Sequence, residues 1–291
     1  MTQQATDRNE TEAEPNAGGA SAEPQGEARG SLPPRARIDV KHVILVLSGK
    51  GGVGKSTVAV NLAYSLANHG RTVGLLDLDL HGPSVPKMLG LEGQVPAISG
   101  QKIEPVQVTG SFTAMSMGFL LSRPDSPVIW RGPMKMSVIQ QFLEDVDWGP
   151  LDYLVVDLPP GTGDEALTIA QLAPNLRGAI IVTTPQDVAV LDAVKALKFI
   201  EKLEIPVLGI VENMSGMVCP HCGGTVDMFG RGGGANAARD HGVPYLGTIP
   251  LDPEMMKAGD EGRPYILRHA DSPTWNAIDG VMENLVGQVE S

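Results

Sequence analysis

The chain has 291 residues, enough for one large α/β domain with a sizeable core. With 34 acidic against 22 basic side chains its formal charge is −12, which argues against the basic surface that non-specific binding to nucleic acid or anionic lipid requires. Its two cysteines, Cys219 and Cys222, exclude a disulfide-stapled secreted scaffold by arithmetic.

Residues 1–37 are rich in Glu, Gln, Ala, Gly and Pro and contain no aromatic residue, so they bury too little apolar surface to offset the entropy of ordering. We expect a disordered polar tail there and a single domain over 38–291. The tail lacks a basic start followed by an apolar stretch, and no run of about 18 apolar residues occurs, so a soluble, cytoplasmic protein is expected, with neither membrane nor nucleic acid as partner.

Val43 to Ser48 reads as a buried strand and Ser56 to Asn68 as a helix, with Val58, Leu62, Ala63 and Leu66 on one face and Gly70 as the stop. Short apolar runs at 72–78, 151–158, 178–184, 206–211 and 245–249 predict further strands. Asp164 to Leu172, Asp187 to Leu203 and Pro273 to Val286 predict helices. This alternation implies an α/β fold: a mostly parallel sheet with helices on both faces and ligands at the carboxyl ends of its strands. Between Gly90 and Ser122 the alternating pieces at 102–108 and 112–117 suit an inserted hairpin.

Directly after the first strand comes Gly49-Lys50-Gly51-Gly52-Val53-Gly54-Lys55-Ser56-Thr57. In a strand–loop–helix context the pattern G-x-x-x-x-G-K-[ST] is a phosphate-binding loop. Its glycines turn backbone N–H groups inward, Lys55 reaches the β- and γ-oxygens of ATP, and Ser56 offers a hydroxyl to Mg²⁺. The helix N-terminus adds partial positive charge. Asp77 and Asp79 alternate along an extended segment, so both are expected to face the γ-phosphate, one orienting or deprotonating the attacking water. Asp157 ends an apolar strand as a Walker B carboxylate holding Mg²⁺. The glycines after it permit close approach to the phosphate, and Asp164 reads as a helix cap. Glu212 with Asn213, and Pro250-Leu251-Asp252, follow later strands and can supply polar edges for the base, or serve turns.

Cys219-Pro220-His221-Cys222-Gly223-Gly224 has the form of a metal knuckle. Two thiolates half-coordinate a tetrahedral metal, so the remaining ligands are expected from a second copy; a two-fold dimer offers four, enough for a [4Fe–4S] cluster or a zinc ion. A dithiol redox motif is the other chemistry open to this spacing.

Lys50-Gly51-Gly52-Val53-Gly54-Lys55-Ser56-Thr57 resembles the deviant Walker A of the MinD/ParA-type dimeric P-loop ATPases, in which the first lysine contacts the partner subunit's nucleotide. Together with 77–84, Trp130-Arg131-Gly132-Pro133-Met134, 157–164 and the cysteine pair, it resembles the Mrp/ApbC-type iron–sulfur cluster carriers. The resemblance spans about residues 38–288. It implies a homodimeric ATPase that holds a [4Fe–4S] cluster between subunits and passes it to apo-iron–sulfur proteins, with Lys50, Asp79 and Asp157 in hydrolysis. A positioning or partition ATPase with a zinc clasp, and an electron-transfer protein, remain open on the same residues.

Overall fold

The computed structural model describes residues 35–79, 82–120, 132–218, 222 and 224–291. The tail expected over 1–37 therefore lies almost wholly outside the described residues, as do Trp130, Arg131 and Cys219.

The chain runs β1 (Val40–Leu47), α1 (Lys55–Asn68), β2 (Val73–Asp77), α2 (Val85–Met88), the short strands β3 (Ile98–Ser99) and β4 (Lys102–Ile103), then β5 (Val106–Thr109) and β6 (Phe112–Ser116). After a 3-10 turn at Met117–Leu120 and the helix α3 (Gly132–Glu144) come β7 (Leu151–Asp157), α4 (Asp164–Leu172), β8 (Leu176–Thr183), α5 (Asp187–Lys202) and β9 (Val207–Glu212). The chain closes with β10 (Met217–Val218), β11 (Thr225–Val226), α6 (Gly233–His241), β12 (Tyr245–Thr248), α7 (Pro253–Asp260), α8 (Ile266–His269) and α9 (Pro273–Val289).

Eight strands form one sheet in the order β12-β9-β8-β1-β7-β2-β6-β5, parallel except for the edge strand β5. In β1 the side chains alternate between two cores. Ile44 and Val46 pack with α1 and α9, including Leu62, Trp275 and Leu285, whereas Val43, Leu45 and Leu47 pack with α3 and α4, including Phe142 and Ile169. Both faces are covered, so the strand reads as an unbroken apolar run, and each fully buried side chain of this kind contributes roughly 1.5–3 kcal/mol.

The expected inserted hairpin is corrected in one respect. β5 and β6 do pair antiparallel, but β6 also pairs parallel with β2 and carries the buried Phe112, Ala114 and Met115, so its second arm is a strand of the main sheet. Alternation of small and polar residues with large ones disguised a strand whose two faces are both covered.

β1 sits between β7 and β8, and the loop that leaves it emerges where successive connections diverge to opposite sides of the sheet. Asp77 and Asp157 are direct neighbours across the β2–β7 pair, which places both at the carboxyl edge beside that loop.

Candidate nucleotide and metal site

The phosphate loop is shaped by two left-handed glycines and a helix without a side-chain cap. Gly52 and Gly54 have φ of +81° and +80°, and Gly54 is the N-cap of α1. No acidic residue lies in the first turn of α1, so its free N–H groups and positive dipole end face the loop uncompensated. Ser48 Oγ donates to the carbonyl of Lys50 at 2.9 Å, fixing the loop's entry. Gly49 serves packing: a Cβ there would stand 2.0 Å from the Asp192 carbonyl oxygen of α5.

Lys55, Ser56, Asp79 and Lys50 line one half-open cavity of about 230 Å³ with Gly51, Gly52, Gly54 and Thr57. A second cavity of about 330 Å³, walled by α1, α2 and α7, adjoins it and shares Thr57, Ser84 and Met88.

Lys55 Nζ bonds the fully buried Asp157 at Oδ1, 2.5 Å away, and lies 3.2 Å from Ser56 Oγ. Asp157 Oδ2 is buried with no hydrogen-bond partner among the described residues. Burial pushes the Asp157 carboxyl up, against the pull of Lys55 and Ser56. An orphaned oxygen beside a serine hydroxyl, in a hard-oxygen environment, fits a divalent cation such as Mg²⁺.

Asp77 and Asp79 are placed differently, contrary to the expectation that both face the γ-phosphate. Asp77 is fully buried, accepting from the Asp79 N–H at 3.0 Å and from Ser116 Oγ at 2.8 Å. Burial first, then the neighbouring Asp157 charge, push its carboxyl up to about 7. Asp79, half-buried, lines the phosphate cavity and accepts from the Gly82 N–H at 3.2 Å.

Asn213 reaches the loop from the end of β9. Its Nδ2 donates to the Val53 carbonyl at 2.9 Å and would stand 2.2 Å from a Cβ on Gly54, while its Oδ1 is buried without a partner among the described residues. Pro250 and Asp252 sit at a different task. Asp252 caps α7 by accepting from the Glu254 N–H at 2.9 Å, and its other oxygen accepts from Tyr265 and from Thr274 Oγ1. Pro250 lies two residues before that cap. Both Asp252 oxygens are engaged inside the protein.

Glu212, expected with Asn213 to offer a polar edge to the base or to serve a turn, is engaged inside the protein. Only 1% exposed, it accepts from Ser215 Oγ at 2.5 Å and from the N–H groups of Gly232 at 2.9 Å and Gly234 at 2.6 Å. It thereby caps α6 and closes residues 213–232 into a loop with a fixed base. The ribbon β10–β11 rises within that loop, and Cys222 stands exposed beyond it; Cys219 lies outside the described residues. The Gly232-Gly233-Gly234 run at the start of α6 was the signal that could have shown Glu212 as that helix's cap.

A profile of ParA proteins described as NUBPL iron-transfer P-loop NTPases matches residues 39–286. The chain belongs to this family. An iron–sulfur cluster carrier protein of Methanocaldococcus jannaschii is 51% identical over 86% of this chain and 86% of its own. The human cytosolic Fe-S cluster assembly factor NUBP2 is 49% identical over 85% and 93%. Among solved structures, a nucleotide-binding protein from Archaeoglobus fulgidus, in complex with ADP, is 40% identical with a TM-score of 0.69 over 82% of this chain and 91% of that one. The MinD cell division protein of Aquifex aeolicus, 21% identical with a TM-score of 0.61 over 84% and 97%, shares the fold. As a NUBPL-type P-loop NTPase, the chain has the α/β, mostly parallel architecture that its strand order displays.

Proposed function

We propose that the protein is an ATP-dependent iron–sulfur cluster carrier: two copies hold one [4Fe–4S] cluster through Cys219 and Cys222 of each chain and release it to apo-iron–sulfur proteins. One observation carries the reading. Asn213 ties the base of the cysteine segment to the phosphate loop through its bond to the Val53 carbonyl, and Glu212 beside it holds the other end of that base at Gly232 and Gly234. A change at the nucleotide therefore reaches the base of the segment that bears the thiolates.

In this reading the N–H groups of 51–56 and Lys55 take the phosphates, and Ser56 with Asp157 holds Mg²⁺. The metal supplies charge neutralisation on the β- and γ-oxygens. With nucleotide bound, Lys55 would turn from Asp157 to the phosphates, and Asp157 would be free to hold the metal with Ser56. Asp79 orients or deprotonates the attacking water, and Lys50 reaches the nucleotide of the second copy. Asn213 Oδ1 offers an acceptor to the adenine amino group, and the cavity beginning at Thr57 gives the rest of the nucleotide room. The cluster is cargo, and four thiolates from two chains match its ligand count. The cytosolic naming of the human relative supports a cytoplasmic location.

The test is anaerobic reconstitution with iron and sulfide. The expected yield is about four irons and four sulfides per two chains, as one [4Fe–4S] centre requires, with loss of the centre in Cys219→Ser and in Cys222→Ser. The loaded protein should activate an apo-enzyme acceptor and lose its iron in doing so. One zinc per dimer with no stable cluster would favour a structural clasp on a positioning ATPase, and electron delivery with iron retained would favour a redox protein.

A further inference from the structure

The loop after Asp157 is held at both ends by contacts that the nucleotide chemistry above does not use. At its start, the Gly161 N–H donates to the Ser48 carbonyl at 2.8 Å, in the segment that opens the phosphate loop. At its end, Gly163 is the N-cap of α4, and Asp164, expected to be the cap, is instead the first helical residue. The side chain of Glu165 folds back over Gly163 so closely that a Cβ there would stand 2.1 Å from Glu165 Oε2.

Glu165 is only 5% exposed, and its cation is Lys135 of α3, with Nζ 2.9 Å from Oε1. A carboxylate this buried keeps its charge at a cost unless its cation is in place. The pair therefore fixes where Glu165 lies, and Glu165 fixes where Gly163 lies. Beneath it a cavity of about 390 Å³, bounded by Met136, Ile139, Thr162 and Thr168, leaves the loop space to move once the pair opens.

We propose that Lys135 is a positioning residue for nucleotide hydrolysis: through its buried ion pair with Glu165 it clamps the 159–163 loop against the phosphate site and ties that loop to α3. The proposal rests on the reading above, in which Asp157 and the loop after it attend the nucleotide's phosphate. Lys135 touches neither nucleotide nor metal and acts through Glu165. Without the cation, the Glu165 carboxylate turns to water, Gly163 loses the group packed on it, and the loop no longer stays where Asp157 and the attacking water need it.

The experiment compares wild type, Lys135→Met, Glu165→Gln and the charge-swapped Lys135→Glu/Glu165→Lys, measuring ATP hydrolysis, ATP affinity and amide hydrogen exchange of residues 159–165 with and without a non-hydrolysable ATP analogue. Lys135→Met is expected to lower kcat about 10- to 100-fold, the scale for a displaced positioning group, with ATP affinity within about twofold of wild type, a split that marks loss of an interaction used only in the transition state. Analogue-induced protection at Gly161 and Gly163 should disappear in Lys135→Met and return in the charge swap. A pair that merely stabilises the fold would lower the melting temperature and leave both kcat and the induced protection intact, which would overturn the proposal. Should wild type itself hydrolyse no ATP, the reading of an ATPase carrier fails. Exchange at 159–165 in the nucleotide-free proteins then decides the clamp alone: faster in Lys135→Met supports it, and unchanged rejects it.

Discussion

Lys55 Nζ and Asp157 Oδ1 lie 2.5 Å apart with both side chains almost wholly out of solvent, so the lysine of the phosphate loop is also the counter-ion of the carboxylate that ends β7. Removing one partner leaves the other charged and buried, which typically costs about 3–5 kcal/mol. Lys55→Ala should thus lose stability in the nucleotide-free protein as well as nucleotide binding. The double variant Lys55→Ala/Asp157→Asn should recover most of that stability and none of the binding. Thermal unfolding and calorimetric ATP titration of the two proteins check this, and equal melting temperatures would show that the pair contributes nothing to the fold.

The glycines of the loop separate by what surrounds them. A Cβ on Gly51 meets no protein atom within 4 Å but enters the phosphate cavity, whereas one on Gly54 meets Asn213 at 2.2 Å and sits on a backbone at φ +80°. Gly51→Ala is expected to keep unfolding free energy within about 0.5 kcal/mol of wild type while weakening nucleotide binding. Gly54→Ala should lose at least about 1–2 kcal/mol from the left-handed backbone alone, plus the bond from Asn213 to Val53. Denaturant unfolding distinguishes the two.

Much of this arrangement was legible in the sequence because its signals are local. The segments 43–48, 56–68, 151–158 and 164–172 carry complete periodicities, and the observed elements β1, α1, β7 and α4 begin and end within three residues of those expectations. Less legible was whatever depends on a neighbour distant in the chain. Asp77 looks like the twin of Asp79 until Ser116, 39 residues away, claims its carboxylate. Asp252 resembles a ligand until Tyr265 and Thr274 fold onto it. The Lys135–Glu165 pair bridges two helices whose separate sequences give no sign of contact.

Asp77 provides a pH signature. Burial and the Asp157 charge raise its folded-state value to about 7 from the ordinary 3.8, so the folded state holds its proton more tightly than the unfolded chain does. The associated stability is complete below about pH 4 and is lost as pH rises through about 7. Asp77→Asn removes the titration while leaving a side chain of the same shape for Ser116 and the Asp79 N–H. Relative to wild type, the variant should gain stability from about pH 4 to about pH 7 and level off above that. A difference between the two proteins that stays constant over that range would show that Asp77 does not titrate there.

The Asp252 cap predicts a stability effect without a matching loss of nucleotide affinity. Burial pushes the Asp252 carboxyl up, but the hydrogen bonds from Tyr265, Thr274 and the α7 N–H groups outweigh it and hold the group below its ordinary value. Asp252→Ala removes the cap, worth about 0.5–2 kcal/mol, and leaves Tyr265 and Thr274 without their acceptor. Its ATP affinity should stay within about twofold of wild type, since a factor of that size is below 0.5 kcal/mol. A tenfold loss of affinity at unchanged stability would place Asp252 on the base.

Lys50 decides whether the catalytic unit is one chain or two. Its carbonyl is fixed by Ser48, yet its half-exposed side chain lines the phosphate cavity with no ion pair among the described residues. If that ammonium serves a second copy's nucleotide, Lys50→Ala should bind ATP within about threefold of wild type, because its own loop is intact, and hydrolyse it about 10³-fold more slowly, the scale of a cation supplied in trans. Mixing provides the decisive comparison. The Lys55→Ala/Asp157→Asn protein binds no nucleotide but still presents Lys50, whereas Lys50→Ala binds nucleotide and presents none. Each is inactive alone. Combined, mixed dimers place an intact Lys50 against the one loaded loop, and activity should rise towards half that of wild type per mixed dimer. A mixture that stays inactive, while ATP still drives the two proteins to associate, would assign Lys50 to its own subunit's phosphate.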